Sequence, residues 1–338
     1  MTKWVWAITL EPMKDPILQA LRHGNYVSGE EIGKAIGVSR TAVWKHINKL
    51  RHQGYRIDSS SRKGYSLVNI TNSPLPEEIM EGLSTHTLGL HIQYYKEVES
   101  TQDIAKQLAA GGADEGTLVI AEKQSRGRGR MGRQWTSSPG GVYLSLILRP
   151  EIKPSEALWF PLIAGIAVAQ AIRQLVGLQA KLKWPNDIFV GGKKAGGILI
   201  EMSAEIDRLD YVIVGMGINV NTRMKDFPQE LKKIATSLRN ECGQEISSVK
   251  LVQAILTILE HWYEDFSTSG FERIRQTWKE MSNTIGSLVS VNTREASIKG
   301  HALDIDHDGA LIVQSTDGTP KRIIAGDITL RNLDEGNI

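Results

Sequence analysis

Residues 124–135, Gln124-Ser125-Arg126-Gly127-Arg128-Gly129-Arg130-Met131-Gly132-Arg133-Gln134-Trp135, constrain this chain more than any other stretch. Gly127, Gly129 and Gly132 permit backbone angles closed to other residues and let the backbone approach a ligand closely. The arginines between them are planar, bidentate donors suited to carboxylates and phosphates. The segment occurs once. It follows the apolar run Thr117 to Ala121 and precedes Trp135 and the apolar run Val142 to Leu148. A repetitive nucleic-acid tail and a merely solvated basic loop are two readings of such composition. A position between two strands favours a third: a loop on a folded sheet that receives a negatively charged, phosphate-containing ligand.

The rest of the chain can build that sheet. Of 338 residues, 41% are hydrophobic and 23% charged, as in soluble proteins of two or three domains. The single cysteine, Cys242, precludes an internal disulfide and suits a reducing cytoplasm. Its polar setting, Asn240 to Gln244, reads as structural rather than nucleophilic. The longest charge-free apolar run, between Glu156 and Arg173, contains Pro161. It falls short of the roughly 20 residues that a bilayer requires, so it is expected to be a buried core helix and no membrane partner is expected. Residues 1–14 have no small-residue cleavage site and read as an N-terminal extension without an assigned role.

Charge is unevenly spread. Residues 1–68 hold eleven Lys/Arg and five Asp/Glu, a net of +6, while the whole chain is at +2. That asymmetry points to nucleic acid as a partner of the first segment. Within residues 15–70, a first helix is expected over Pro16 to Arg22. Ser28 followed by Glu31 is a capping pattern for a second helix to Ile36, which Gly37 breaks. Ser39 to Leu50 then places Val43, Ile47 and Leu50 on one helical face, with Arg40, Thr41, Lys45 and Lys49 elsewhere. Gly54 to Ile57, a basic turn with Arg62 and Lys63, and Tyr65 to Leu67 read as a hairpin. Together these form a winged helix-turn-helix, with Ser39, Arg40, Thr41, Lys45, Arg62 and Lys63 as candidate DNA contacts. A small helical subdomain used only for packing is the alternative.

After the linker Asn72 to Pro76, residues 71–284 mix strands (Thr117 to Ala121, Val142 to Leu148, Ile198 to Met202, Tyr211 to Gly215) with helices (Gln102 to Ala110, Ser155 to Val176, Val249 to Thr268). The fold class is α+β multidomain, with a mixed sheet in this central unit. Residues 285–335 switch to short alternating strands separated by Asp308-Gly309 and Asp317-Gly318 turns, which read as a small β-barrel.

Three further motifs lie in the central unit. Lys183 precedes Trp184-Pro185-Asn186-Asp187, and the proline forces extended backbone before it, so Lys183 should end a strand where it can face developing negative charge. Lys193-Lys194-Ala195-Gly196-Gly197 leads into an apolar strand that ends at Glu201. Gly215-Met216-Gly217-Ile218-Asn219 ends another. Taken singly, each reads equally as a strand-end lysine, a bulge or a turn.

In this order the motifs resemble the biotin–protein ligase family, specifically its bifunctional bacterial class, whose members carry an N-terminal winged helix and also repress the biotin operon. The matching blocks are Gly127 to Arg133, Lys183 to Asp187, Lys194 to Glu201 and Gly217 to Asn219. Glu99-Ser100-Thr101-Gln102-Asp103 resembles the segment lining the biotin pocket, with Gln102 where many members have Asn. The resemblance implies a ligase domain of the biotin/lipoate type and an SH3-like C-terminal barrel. It implies that biotin and ATP, with Mg²⁺, form biotinoyl-AMP, which then biotinylates a lysine of the biotin carboxyl carrier protein of acetyl-CoA carboxylase and of other biotin-dependent carboxylases. It implies a cytoplasmic enzyme that, loaded with biotinoyl-AMP as corepressor, forms a homodimer on operator DNA. By resemblance, Ser100, Thr101, Gln102, Gln124, Arg128, Gly129, Arg130, Lys194 and Gly197 surround biotin. Arg130, Arg133, Trp135, Lys183 and Asn219 lie near the adenylate, with Lys183 and Arg130 catalytic. No dedicated metal cage is expected. Lipoate–protein ligases, which share the fold, and a purely DNA-binding sensor are the alternatives.

Overall fold

Ser28 opens a helix with a capping box. Its hydroxyl accepts from the Glu31 amide at 3.1 Å, and the Glu31 carboxylate accepts from the Ser28 amide at 2.9 Å, which satisfies two of the donors left open at a helix start. The computed structural model describes residues 16–21, 25–52, 55–69, 72–293 and 296–330. The expected extension, 1–14, and Arg22 at the end of the expected first helix lie outside them.

Helices α1 (Pro16–Leu21), α2 (Gly29–Ile36) and α3 (Arg40–His52) pack with the antiparallel hairpin β1 (Arg56–Ser60) and β2 (Gly64–Asn69). α2 ends at Gly37, whose φ of 72° is left-handed. Ser39 then caps α3 by accepting from the Ala42 amide at 3.2 Å. Ile32, Val43, Ile47, Leu50, Ile57 and Leu67 form a core joined by Leu75, with Tyr94 of the central unit packed against it. The opposite side of α3 and the hairpin tip are open to solvent. The winged helix-turn-helix is as the periodicity implies.

Asn72 ties this unit to the next. Its side-chain amide donates to the Ile246 carbonyl at 2.8 Å and to the Glu245 carboxylate at 3.0 Å, and its Oδ1 accepts from the Ser248 amide at 2.7 Å. The central unit then runs through α4 (Pro76–Glu81), β3 (Ile92–Tyr95), α5 (Thr101–Ala110), β4 (Leu118–Ala121), β5 (Val142–Leu148), α6 (Phe160–Val176), β6 (Lys181–Lys183), β7 (Asp187–Val190), β8 (Lys193–Ala204), β9 (Leu209–Ile218), α7 (Leu238–Cys242), α8 (Ser248–Ser269) and α9 (Glu272–Met281). Its strands form one seven-stranded mixed sheet in the order β3-β4-β5-β9-β8-β7-β6, parallel only between β3 and β4. α6, α8 and α9 pack on one face. α5 covers the other over Val119, Ile147 and Ile213.

α6 belongs to the interior. Eleven of its seventeen residues are buried, and each large aliphatic side chain so placed contributes roughly 1.5–3 kcal/mol. Residues 154–176 are apolar enough by length and composition to cross a membrane, yet 67% of the apolar window is buried inside the protein. Residues 155–159, expected as the start of this helix, belong instead to a 3₁₀ turn, Pro154–Trp159.

The last unit is a five-stranded antiparallel sheet of β10 (Leu288–Asn292), β11 (Ser297–Ile305), β12 (Leu311–Ser315), β13 (Pro320–Ile323) and β14 (Asp327–Leu330), in the order β13-β12-β11-β10-β14. Its Val289, Val291, Ala302 and Val313 continue the core of the central unit. The Trp184 indole N–H donates to the Gly309 carbonyl across the junction at 3.1 Å.

Candidate active site

The glycine-arginine loop, the start of α5, the turn between β6 and β7, and the facing ends of β5, β8 and β9 enclose a cavity of about 490 Å³. The C-terminal sheet closes one side of it with Asn292, Gly326, Ile328 and Thr329. Ser100, Thr101, Gln102, Gln124, Arg128, Gly129, Arg130, Arg133, Trp135, Lys183, Lys194 and Gly197 all line it. Residues spread over nearly one hundred positions of sequence thus meet in one place.

The inner end is a buried polar network. Gln124 Oε1 accepts from the Thr101 amide at 2.8 Å and from its hydroxyl at 3.1 Å, and Ser145 donates to the Thr101 hydroxyl at 2.9 Å. Gln102 donates to Glu201 at 3.0 Å. Gln102 sits directly over β9: a Cβ on Gly215 would lie 2.7 Å from Gln102 Oε1, so a larger residue there would displace the Gln102 amide. Three polar atoms in this wall, Ser100 Oγ, Gln102 Oε1 and Trp135 Nε1, are buried without a hydrogen-bond partner. Buried polar groups are normally satisfied, so these mark where a polar ligand group would be taken up.

The loop is held by its own backbone. The Gly129 amide donates to the Arg133 carbonyl and the Trp135 amide to the Gly127 carbonyl, both at 2.8 Å, so it folds back as a tight ribbon. Met131 at its tip takes a left-handed φ of 56°. Arg128 spans Glu201 at 2.6 Å and Asp103 at 2.8 Å. Arg130 donates to Asn186 Oδ1 at 3.2 Å and to the Gly326 carbonyl at 3.5 Å. Trp135 lies flat on β9, where a Cβ at Gly217 would approach its ring to 2.7 Å.

Lys183 ends β6, as Pro185 implies, and its ammonium sits 5.2 Å from the centre of the Phe189 ring. Lys194 pairs with Asp187 at 2.5 Å and stands 5.4 Å from the Trp135 ring centre. Asn219 is elsewhere. It is 4% exposed, its amide donates to the Thr236 carbonyl at 3.0 Å, and it lines an adjoining cavity of about 780 Å³ with Phe227, Leu231 and Ile234. The two cavities share Arg133, Trp135, Lys183 and Lys194. Among the described residues, five cationic side chains line the first cavity against one carboxylate, Asp187. The site therefore favours anions.

Sequence reasoning missed Glu201 as a partner of the loop, although a carboxylate in an apolar strand was a usable signal. It also missed Asn186 as the anchor of Arg130. Nothing in sequence pointed to Asn292, Gly326 or Thr329, which reach the site only through domain packing.

On the winged helix, Ser39, Arg40, Thr41, Lys45, Arg62 and Lys63 are exposed. The Ser39 hydroxyl is already engaged in capping α3. Behind the hairpin tip, Tyr26 donates to Asp58, which holds the Asp58 carboxyl below its usual range.

Comparison with known proteins agrees with this geometry. The Biotin/lipoate A/B protein ligase family matches residues 94–219, a helix-turn-helix domain family residues 15–66, and the Biotin protein ligase C terminal domain residues 284–331. The bifunctional ligase/repressor BirA of Bacillus subtilis is 45% identical over 319 residues, covering 94% of this chain and 98% of that protein. Its Escherichia coli counterpart is 30% identical over 328 residues, covering 96% and 98%. The solved structure of the Aquifex aeolicus biotin protein ligase in complex with biotin and ATP superposes with a TM-score of 0.62 at 31% identity, covering 71% of this chain and 98% of that one. With an N-terminal helix-turn-helix, a mixed-sheet ligase domain and an antiparallel β domain in that order, the chain belongs to the family of bifunctional biotin protein ligase/repressors.

Proposed function

We propose that the cavity under the glycine-arginine loop joins biotin to ATP and then passes the biotinoyl group to a lysine of the carrier protein of acetyl-CoA carboxylase and related biotin-dependent carboxylases. The observation that carries this reading is the pairing, in one cavity, of unpartnered buried polar atoms with five cations. A ureido ring offers N–H donors and a carbonyl acceptor. Gln102 Oε1 can accept from the first, and Ser100 Oγ can donate to the second. Thr101, Gln124 and Gly197 shape the same wall, and Lys194 lies beside it.

The carboxylate of biotin then attacks the α-phosphorus of ATP, and pyrophosphate leaves as the phosphorus–oxygen bond to it breaks. Two anions must be brought together while charge builds on the phosphorus oxygens. Preorganised cations offset both costs. Lys183, Arg130 and Arg133 face that charge, Arg128 and Gly129 shape the loop backbone, and Trp135 and Asn219 bound the adenylate region. In the second step a carrier lysine amine attacks the acyl carbon and AMP departs.

Mg²⁺ requires oxygen ligands and keeps several waters. Asp187, the one carboxylate among the described residues lining the cavity, is paired with Lys194. Asp187 and the Asn186 side chain are the oxygen-bearing groups of this chain that would hold Mg²⁺ arriving with the triphosphate, and the ion would neutralise phosphate charge. Unpaired Cys242 and a requirement for ATP both suit a cytoplasmic location.

We further propose that the adenylate-loaded protein is a homodimer on operator DNA. One winged helix spans only a few base pairs, and two placed at two half-sites gain by avidity. The central sheet offers a pairing edge: β7 pairs with β8 only at residues 187–190 and 193–197, so the remainder of β8 has a strand on one side alone among the described residues. Such an edge invites another strand. The adenylate can favour the dimer only by binding it better than it binds the monomer.

Biotin-dependent exchange of labelled pyrophosphate into ATP tests the catalytic half. Exchange with lipoate in place of biotin would support a lipoate ligase, and no exchange with either would leave only a ligand-binding regulator. Sedimentation with and without biotin plus ATP tests the other half. A shift to the dimer with both ligands, accompanied by tighter DNA binding, is the expected result, and indifference of both properties to the ligands overturns it.

A further inference from the structure

Trp44 is the one feature of the DNA-facing helix that a phosphate-binding surface does not explain. It is 52% exposed, midway along α3. The helix hides Val43, Ile47 and Leu50 in the core, and Trp44 falls on the other side. There it follows Thr41 by three residues and adjoins Lys45, with Arg40 and Lys49 exposed on the same helix and Arg62 and Lys63 exposed at the hairpin tip. An isolated apolar side chain on a protein surface needs no explanation. A half-exposed indole on a recognition helix that also exposes Arg40, Lys45 and Lys49 is different, because whatever meets those cations must also meet the ring.

The cations select the occupant: a polyanionic duplex. A helix of this size enters the major groove, and its early residues reach base edges. Nearly everything displayed there is a hydrogen-bond donor or acceptor. The exception is the C5-methyl group of thymine, and it is the natural counterpart of an indole face. Indole Nε1–H, a donor without an acceptor, can serve a neighbouring acceptor edge but cannot replace that contact.

We infer that Trp44 reads thymine methyl groups in the major groove and is a residue setting which DNA sequence this protein recognises. The inference rests on the repressor reading above and adds to it the side chain and the chemical group that supply specificity, whereas Arg40, Lys45, Arg62 and Lys63 supply affinity.

The test uses the full chain with biotin and ATP. Duplexes that bind are enriched from a random-sequence library. Affinity is then measured for the enriched duplex, for a twin with deoxyuridine in place of every thymine, which removes only the methyl groups, and for unselected duplex. The wild type should bind the twin about tenfold more weakly, the scale of one lost base contact. Trp44→Ala should bind enriched duplex and twin alike. It should match the wild type on unselected duplex and in biotin-dependent pyrophosphate exchange, which verifies its fold. A wild type indifferent to the methyl groups overturns the assignment. So does a Trp44→Ala variant that weakens on enriched and unselected duplex by the same factor, which would place the ring against the sugar-phosphate backbone. If the wild type enriches no sequence at all, the repressor reading itself falls, and this assignment with it.

Discussion

Lys183→Ala should slow biotinoyl-AMP formation by about 10²–10³-fold, the usual cost of removing one preorganised group that faces developing charge. Lys183 ends a short strand paired to β7, and its ammonium is held over the Phe189 ring. The strand positions its backbone and the ring limits its rotamers, so the charge is in place before reaction. The side chain is half-buried and lies outside the hydrophobic core, so its loss should leave the fold intact. Single-turnover adenylation at saturating biotin and ATP measures the effect, with circular dichroism as the check on folding. The KM for biotin should move far less than kcat, because Lys183 acts on the phosphoryl transfer rather than on the ring of biotin. A rate within a few-fold of wild type would remove Lys183 from this role.

Arg130→Gly should turn a retentive enzyme into a leaking one. Arg130 reaches from the loop to Asn186 on the β6–β7 turn and to the Gly326 carbonyl in the C-terminal sheet. It therefore ties the loop to two separate elements above the cavity. Hydrogen bonds to a charged group contribute about 1.5–3 kcal/mol each, so losing even one should speed release of the adenylate about tenfold or more. Freed biotinoyl-AMP acylates amines without selection. The expected result is biotin on surface lysines of a bystander protein such as serum albumin, mixed with the variant, biotin and ATP, where the wild type leaves it unmarked. A variant that spares the bystander while still forming the adenylate would show that other groups retain the intermediate.

What the sequence disclosed depended on how local each determinant is. The capping pair Ser28 and Glu31, the break at Gly37 and the face made by Val43, Ile47 and Leu50 all act within one or two helical turns, so the winged helix could be read directly. Lys183 at a strand end followed from the proline two residues on. The ribbon of the glycine-arginine loop was not legible, because backbone bonds such as Gly129 to Arg133 leave no mark in side-chain composition. α9 escaped notice because only Ile274, Trp278 and Met281 of its ten residues are buried, which leaves a mostly polar segment. β3 and β7 are four residues each, too short for alternation to stand out. Asn219, expected near the adenylate through its motif, is tied to Thr236 in the adjoining cavity, and no local pattern showed that two cavities would share Arg133, Trp135, Lys183 and Lys194. The roof provided by Asn292, Gly326 and Thr329 depends on how two domains pack, and no periodicity encodes that.

That packing makes three sequence segments into two cooperative units. The winged helix is built mainly around a small core of its own, which only Leu75 and Tyr94 join from the central unit. The C-terminal strands share theirs with the ligase sheet and so cannot unfold while that sheet stays intact. A ligand stabilises only the unit that binds it, by an amount set by its concentration relative to its dissociation constant. Scanning calorimetry should accordingly resolve two transitions. Biotin with ATP should raise the Tm of the larger one and leave the smaller in place, so that near its own Tm the protein loses its grip on DNA while it remains a working ligase.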